Sequence, residues 1–284
     1  MSRYAYHRPR SLEEAWRLKE AEPDARYVAG GTDLMVRIKD GTVHPRALIS
    51  LRSIPELAGI TVNGGLRIGA GTCIADIVAH SQVRADWPVL ADACRALGSP
   101  QIRNVATIGG NLANASPCAD TATPLLVLDA RVELAGPRGR RTVPLTEFFR
   151  GPGETCRTPE EVVSAVFVER PPAVARTLFV KQGRVKMDLA VASVSVRLDL
   201  DGGRCRNVRV AAGSVAPTPV RLREVEAVLE GQAPSPGLFA EAQRLAASAV
   251  APITDLRSTA EHRRTLVGVF VRRALEALTG GAPS

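Results

Sequence analysis

Two glycine-rich segments about eighty residues apart constrain this chain more than any other feature. The first is Val28-Ala29-Gly30-Gly31-Thr32-Asp33-Leu34 and the second is Thr107-Ile108-Gly109-Gly110-Asn111-Leu112-Ala113-Asn114. Each sets an adjacent glycine pair among small hydroxyl or amide residues, beside apolar runs. Glycine lets the backbone turn tightly and brings its N–H groups close to a ligand. Successive N–H groups form a concave nest that favours an anion. Two nests suit the two phosphates of a pyrophosphate, so the pattern points to a dinucleotide. The Gly-x-Gly-x-x-Gly fingerprint of a parallel βαβ site is absent, and Gly69-Ala70-Gly71 lacks the third glycine. The strand pattern favours antiparallel hairpins over repeated βα units, so another fold must hold the nucleotide.

The 284 residues suffice for two or more domains with sizeable cores, and an apolar content of 45% marks a folded chain. Ser11-Leu12-Glu13-Glu14 is a capping box opening a helix. Strands at Arg26–Ala29 and Ala47–Leu51 complete a small β-α-β unit in the first fifty residues. A strand-rich stretch follows, with a hairpin turn at Gly64-Gly65 and a strand at Leu66–Ala70. A helix starts at about Pro88 and ends before Gly98. Asp120 can cap a helix over Thr121–Asp129, and strands follow at Arg131–Leu134, Thr142–Leu145 and Glu161–Val168. Pro171-Pro172 marks a domain boundary. Beyond it come strands at Leu189–Leu200 and Asn207–Ala212, joined by the turn Asp201-Gly202-Gly203. Three helices follow, at Arg221–Leu229, about Gly237–Ala247 and Arg257–Leu278.

The net charge of +8 comes mostly from dispersed arginines, since only Lys19, Lys39, Lys181 and Lys186 are lysines. Aromatic content is 4%, too low for base-stacking platforms, which argues against nucleic acid and leaves a solvated basic surface or a docking face for an acidic partner. The five cysteines and four histidines show no metal-ligand spacing, and the odd cysteine count favours reduced thiols. No apolar stretch reaches the roughly 20 residues of a membrane span, and the first nine residues lack a signal-peptide core. A cytoplasmic protein is expected, with a peripheral place at the inner membrane face also compatible. No acid–base pair or nucleophile–base set stands out, so neither a catalytic residue nor a metal ligand is expected on this chain.

The segments around both glycine pairs carry a family resemblance. Tyr27 through Leu34 is similar to the first FAD-pyrophosphate loop of the flavoprotein subunits of molybdenum hydroxylases. Gln101 through Pro117, with Asp120 three residues on, is similar to their second. Gly213-Ser214-Val215-Ala216-Pro217-Thr218-Pro219 resembles a stretch typical of their C-terminal domain. Over its whole length the chain resembles the medium subunit of the carbon monoxide dehydrogenase family, whose module is also embedded in xanthine dehydrogenase.

The resemblance implies an α+β fold. A two-part, PCMH-type FAD-binding domain would span 1–172, its subdomains being a β-α-β unit (about 1–55) and a larger, mainly antiparallel part (56–172). A C-terminal domain of a small antiparallel sheet and three helices would occupy 173–284. Ala29, Gly30, Gly31, Thr32, Asp33 and Leu34 would wrap one phosphate with backbone N–H groups. Thr107, Ile108, Gly109, Gly110 and Asn111 would hold the other and approach the flavin ring. Asp120 would bond ribose or ribityl hydroxyls, or serve only as a helix cap. Leu97 would pack on the cofactor and Ser164 would give a backbone contact at the adenine end. Lys181 would lie near the flavin and stabilise its reduced, anionic ring, or be a solvated strand residue. No histidine lies in either loop, so the FAD would be non-covalent, and no cysteine-rich insertion for an extra iron–sulfur cluster is present.

In the resembling enzymes a large subunit hydroxylates substrate at a molybdenum cofactor. Electrons then pass through a small subunit with two [2Fe–2S] clusters to the FAD, and on to a quinone or NAD. The implied function is that of the electron-transfer subunit, assembled as a dimer of heterotrimers. A free-standing FAD oxidoreductase with its own substrate is the alternative, and a nucleotide sensor or basic scaffold a third class. The hydroxylated substrate would be set by the large subunit, leaving carbon monoxide, an aldehyde, a purine or an N-heterocycle open.

Overall fold

In a computed structural model describing residues 4–280, the chain opens with a three-stranded parallel sheet. Its strands are β1 (Ala5–His7), β2 (Arg26–Val28) and β3 (Ala47–Ser50), in the order β1-β3-β2. Helix α1 (Leu12–Ala21) joins the first two strands, and α2 (Leu34–Lys39) follows the first glycine segment. Ser11 caps α1 by accepting from the Glu14 N–H, while the Glu14 carboxylate accepts from the Arg10 N–H, one residue further back than a capping box predicts. Leu12 and Ala15 are buried against β3 and against Ala135 and Val162 of the next sheet, so this unit does not close its own core.

The central body is a five-stranded antiparallel sheet, β4-β5-β10-β6-β7. Its strands are β4 (Ile60–Val62), β5 (Gly65–Gly69), β6 (Arg131–Gly136), β7 (Gly139–Pro144) and β10 (Val162–Glu169), with a small ribbon of β8 (Phe149–Gly151) and β9 (Glu154–Thr155) beside it. Six short helices lie between β5 and β6: α3 (Ile74–Ala79), α4 (Ser81–Asp86), α5 (Pro88–Ala96), α6 (Pro100–Arg103), α7 (Ile108–Ala113) and α8 (Ala122–Val127). Trp87, Ile77, Leu90 and Phe148 fill the core between them and the sheet. Proline opens α5 as expected, and Gly98, with φ +49°, turns the chain after it. Every residue of α8 is buried, as fits a helix whose one polar side chain, Thr123, is hydrogen-bonded to Ser195. The second glycine segment is itself helical: Thr107 caps α7, and the glycines lie in its first turn.

The C-terminal domain pairs a four-stranded antiparallel sheet with three helices. The sheet is β11 (Ala175–Gln182), β12 (Ala192–Asp201), β13 (Arg204–Gly213) and β14 (Val220–Arg221). Helices α9 (Arg223–Leu229), α10 (Pro236–Ser248) and α11 (Ala260–Thr279) cover it, burying Val194, Val196 and Val210 against Val267, Val271 and Leu275. Several boundaries differ from expectation, β13 starting at Arg204 rather than Asn207 and α9 at Arg223 rather than Arg221 among them. Leu189 lies in the connection between β11 and β12 rather than in a strand, and α11 starts at Ala260 rather than Arg257. The α11 shift has a local cause, since the Asp255 carboxylate accepts from the N–H groups of Arg257 and Ser258 and holds a turn there.

The C-terminal sheet grips α8. Arg221 donates to the Leu126 carbonyl and to Asp129, Ser195 meets Thr123 at 3.0 Å, and the Ser214 N–H reaches the Pro117 carbonyl. No helix among the described residues is long and apolar enough to cross a membrane.

Candidate functional site: a cleft shared by three units

A cavity of about 940 Å³ lies where the three units meet. All of Ala29, Gly30, Gly31, Thr32, Asp33 and Leu34 line it, as do Leu97, Thr107, Gly109, Gly110, Asn111 and Asp120. Ile108, Ser164 and Lys181 do not. Ile108 turns its side chain into the core. Ser164 donates to the Glu133 carboxylate at 2.7 Å, and its carbonyl accepts from the Ala70 N–H. Its neighbours Val162 and Val163 line the cavity in its place.

The two glycine segments are pressed together. A Cβ on Gly30 would lie 2.1 Å from the Val105 carbonyl oxygen, so only glycine lets the first loop rest against the run leading into α7. Gly109 is equally confined, with Ala70 2.4 Å from where its Cβ would stand. Gly31 instead supplies conformation, at φ +74°.

Their main-chain donors are used differently, which corrects the expectation of two matching nests. In the second segment the N–H groups of Ile108 through Asn111 are already spent, and that of Thr107 finds no acceptor among the described residues. Ile108 donates to the Thr72 carbonyl, Gly109 to Ala70, Gly110 to the Thr107 hydroxyl and Asn111 to the Thr107 carbonyl. In the first segment none of the six N–H groups from Ala29 to Leu34 finds an acceptor among the described residues. A run of unpaired main-chain donors at a cavity wall is an anion cradle. The second segment offers side chains instead. Asn111 uses its carbonyl oxygen to accept from the Thr121 hydroxyl at 2.6 Å, which leaves its NH₂ group without a protein partner among the described residues.

Asp120 is the buried acid of the site, and it caps no helix. α8 has no side-chain cap. One carboxylate oxygen accepts from the Lys181 ammonium at 2.7 Å, and the other has no hydrogen-bond partner among the described residues. Burial pushes the carboxyl up to about 6, against the downward pull of the Lys181 charge. Lys181 is itself buried, not solvated, and also donates to the Ala96 carbonyl at 3.0 Å.

Part of the wall is invisible in the sequence pattern. Met187, Asp188 and Leu189 reach the cavity from the β11–β12 connection, and Cys118, another lining residue, donates its thiol to the Ala190 carbonyl. Met187 and Leu189 are substantially exposed apolar side chains in a polar connection, a signal that could have flagged them.

The fit to a flavin dinucleotide follows from these features. Free amides offer a cradle for a diphosphate, an orphaned carboxylate oxygen offers an acceptor for hydroxyls, and apolar Leu97, Val162, Val163 and Leu189 offer surfaces for rings. Comparison with known proteins agrees. Residues 2–171 match the FAD-binding domain in molybdopterin dehydrogenases, and residues 178–278 match the CO dehydrogenase flavoprotein C-terminal domain. The chain is 35% identical to the carbon monoxide dehydrogenase medium chain of Hydrogenophaga pseudoflava, covering 97% of this chain and 96% of that one. It is 31% identical to the xanthine dehydrogenase FAD-binding subunit of Escherichia coli O157:H7, covering 98% and 97%. Its fold superposes on carbon monoxide dehydrogenase from Hydrogenophaga pseudoflava with a TM-score of 0.95 at 34% identity, over 99% of each chain. Quinoline 2-oxidoreductase from Pseudomonas putida 86 gives 0.93 at 28% identity, over 99% of this chain and 98% of that one. The chain belongs to the family of FAD-binding medium subunits of the molybdenum hydroxylases.

Proposed function

We propose that this chain carries electrons between subunits, taking them from [2Fe–2S] clusters on a small partner subunit and passing them to an external acceptor such as a quinone or NAD. The large partner subunit would hold the molybdenum cofactor and act on the substrate, and the complex would form a dimer of heterotrimers. Bound FAD would supply the chemistry, because it can exchange electrons one or two at a time. The chain's own residues bind, orient and shield it. The N–H groups of Ala29 through Leu34 would wrap the diphosphate, with the Thr107 and Asn111 side chains opposite. The free oxygen of Asp120 would accept a sugar or ribityl hydroxyl. Leu97 and the Met187–Leu189 connection would pack on one end of the cofactor, and Val162 and Val163 would pack on the other.

The observation that carries this reading is the row of six amides, unpaired among the described residues, on a cleft also lined by Asp120, whose second carboxylate oxygen is buried and without a partner there. The names of relatives as medium chains of multi-subunit dehydrogenases support the partners. Isolating the native assembly and assaying molybdenum, iron and FAD together tests the whole. All three are expected, with FAD released on denaturation. A colourless complex would overturn the cofactor assignment, and substrate turnover by this chain alone would overturn the subunit role.

A further inference from the structure

Lys181 belongs to β11 in the C-terminal sheet, yet its ammonium lies inside the FAD-binding domain. It donates to Asp120 at 2.7 Å and to the carbonyl of Ala96, the last residue of α5, at 3.0 Å. The side chain is 6% exposed and that of Asp120 is 5%. Asp120 and Leu97, the residue after Ala96, line the cavity, whereas Lys181 stands behind them. A lysine in direct contact with the cofactor would present its ammonium to the cavity. Here two of its three hydrogens are committed to protein oxygens behind the wall.

The carboxylate shows the complementary half of the arrangement. A buried carboxylate without a counter-charge is expensive, and proteins pair it or neutralise it. Lys181 fixes one oxygen of Asp120, and the second has no partner among the described residues. Lys181 donates at the same time to the end of α5, so one cation ties together the acid, the backbone before Leu97 and the C-terminal sheet.

We propose that Lys181 is a positioning residue and not a flavin contact: it anchors one oxygen of Asp120 so that the other is presented to a hydroxyl of the cofactor, and it thereby makes the C-terminal domain part of the FAD site. Lys181 has this role only if FAD occupies the cavity, so the inference rests on the proposed function and refines it.

A double-mutant cycle on the full chain decides it. FAD affinity is read by quenching of flavin fluorescence for wild type, Lys181→Met, Asp120→Asn and the double variant. The midpoint potential of bound FAD is measured for each at saturating FAD. Each single variant is expected to weaken binding about tenfold or more, as for loss of a hydrogen bond to a charged group. The double variant is expected to bind like Asp120→Asn, because Lys181 has nothing left to act through. Lys181→Arg should keep most of the affinity. Losses that add, or a potential that Lys181→Met lowers even in the Asp120→Asn background, would overturn the proposal in favour of direct contact with the flavin. Where Lys181→Met alone does not fold, the neutral double variant set against Asp120→Asn still makes the comparison. Failure of the wild-type chain and complex to bind FAD would overturn the cofactor assignment instead, which is a distinguishable result.

Discussion

Replacing Gly30 by alanine tests the claim that the two glycine segments are held in backbone contact. The new Cβ would stand 2.1 Å from the Val105 carbonyl oxygen, 2.7 Å from its carbon and 2.9 Å from the Ala106 Cα. All three are main-chain atoms, so no side chain can swing aside. Real Cβ atoms essentially never approach closer than 3.0 Å, and the backbones must therefore part by about 0.9 Å. Overpacking of that kind costs about 1–3 kcal/mol. In a protein of this size each kcal/mol lowers the melting temperature by roughly 2–4 °C, so a fall of about 2–12 °C is expected without FAD. The effect on the cofactor is separate. A donor moved by nearly an ångström is no longer within hydrogen-bond distance of an anion that the opposite wall still holds. Losing one charge-assisted bond, about 1.5–3 kcal/mol, weakens FAD binding about 10- to 150-fold. Gly31→Ala is the control. There φ is +74° and the nearest atom is Met35 Cγ, a side-chain atom at 3.0 Å, so it strains the loop without parting the segments. Thermal unfolding of the free chain and fluorescence titration with FAD read the two quantities. If Gly30→Ala melts and binds like wild type, the segments are not in contact and the geometry is wrong.

Two further outcomes follow from buried charge. Burial raises Asp120 from 3.8 to about 6 although Lys181 opposes it. FAD hydroxyls need the ionised form, so FAD affinity should fall as pH drops through about 6, and binding near that pH should release a proton. In the free chain the sign is opposite: the fold gains from the protonated form at low pH and loses that increment as pH rises through about 6. Calorimetry of FAD binding in buffers of different ionisation enthalpy should find the proton near pH 6 and none near pH 8, and Asp120→Asn should abolish it; a pH-independent profile refutes the role. At the domain junction, Arg221, 4% exposed, pairs with Glu226 and Asp129. Arg221→Met leaves Glu226 buried, with Arg223, mostly exposed, as its remaining cationic partner, which should cost about 3–5 kcal/mol. A denaturant midpoint equal to wild type would show that the network contributes nothing.

Much of the fold was legible because caps and turns carry chemistry. Ser11, Pro88, Gly98 and the Asp201-Gly202-Gly203 turn stand where their backbone roles require, and the sheet-then-helices texture of the last third reflects real alternation in β12 and β13. Strand β1 was missed because three residues at a sheet edge, with Tyr6 half exposed, hold too few alternations to register. Ser164 lies off the cavity wall for a different reason. β10 carries a register shift between Val163 and Ala165, so which residues face the cavity cannot be counted along the strand. The spent amides of the second segment had a readable sign. Threonine followed three residues later by a helical Gly110 N–H is an N-cap, and an N-cap consumes the donor that a nest would need. What no local pattern contains is the destination of the Ile108 and Gly109 donors, because Thr72 and Ala70 meet them only in the folded chain.

That asymmetry has a physical consequence for how the site is built. The amides of Ile108 through Asn111 in the second segment are satisfied before any ligand arrives, by the Thr72 and Ala70 carbonyls and by Thr107, and Gly109 is wedged against Ala70. It is a rigid wall. The first segment projects from a small unit that shares its core with Ala135 and Val162 and leaves six amides without protein partners among the described residues. A diphosphate laid between them would satisfy the loop that is unsatisfied and press it onto the wall that is not. A hydroxyl on Asp120 would do the same for the third unit, through Lys181. A ligand that binds the folded chain and not the unfolded one stabilises it by mass action. Here that stabilisation would be delivered at the junctions of the three units, where each leaves donors or acceptors unpaired, and not within any one of them.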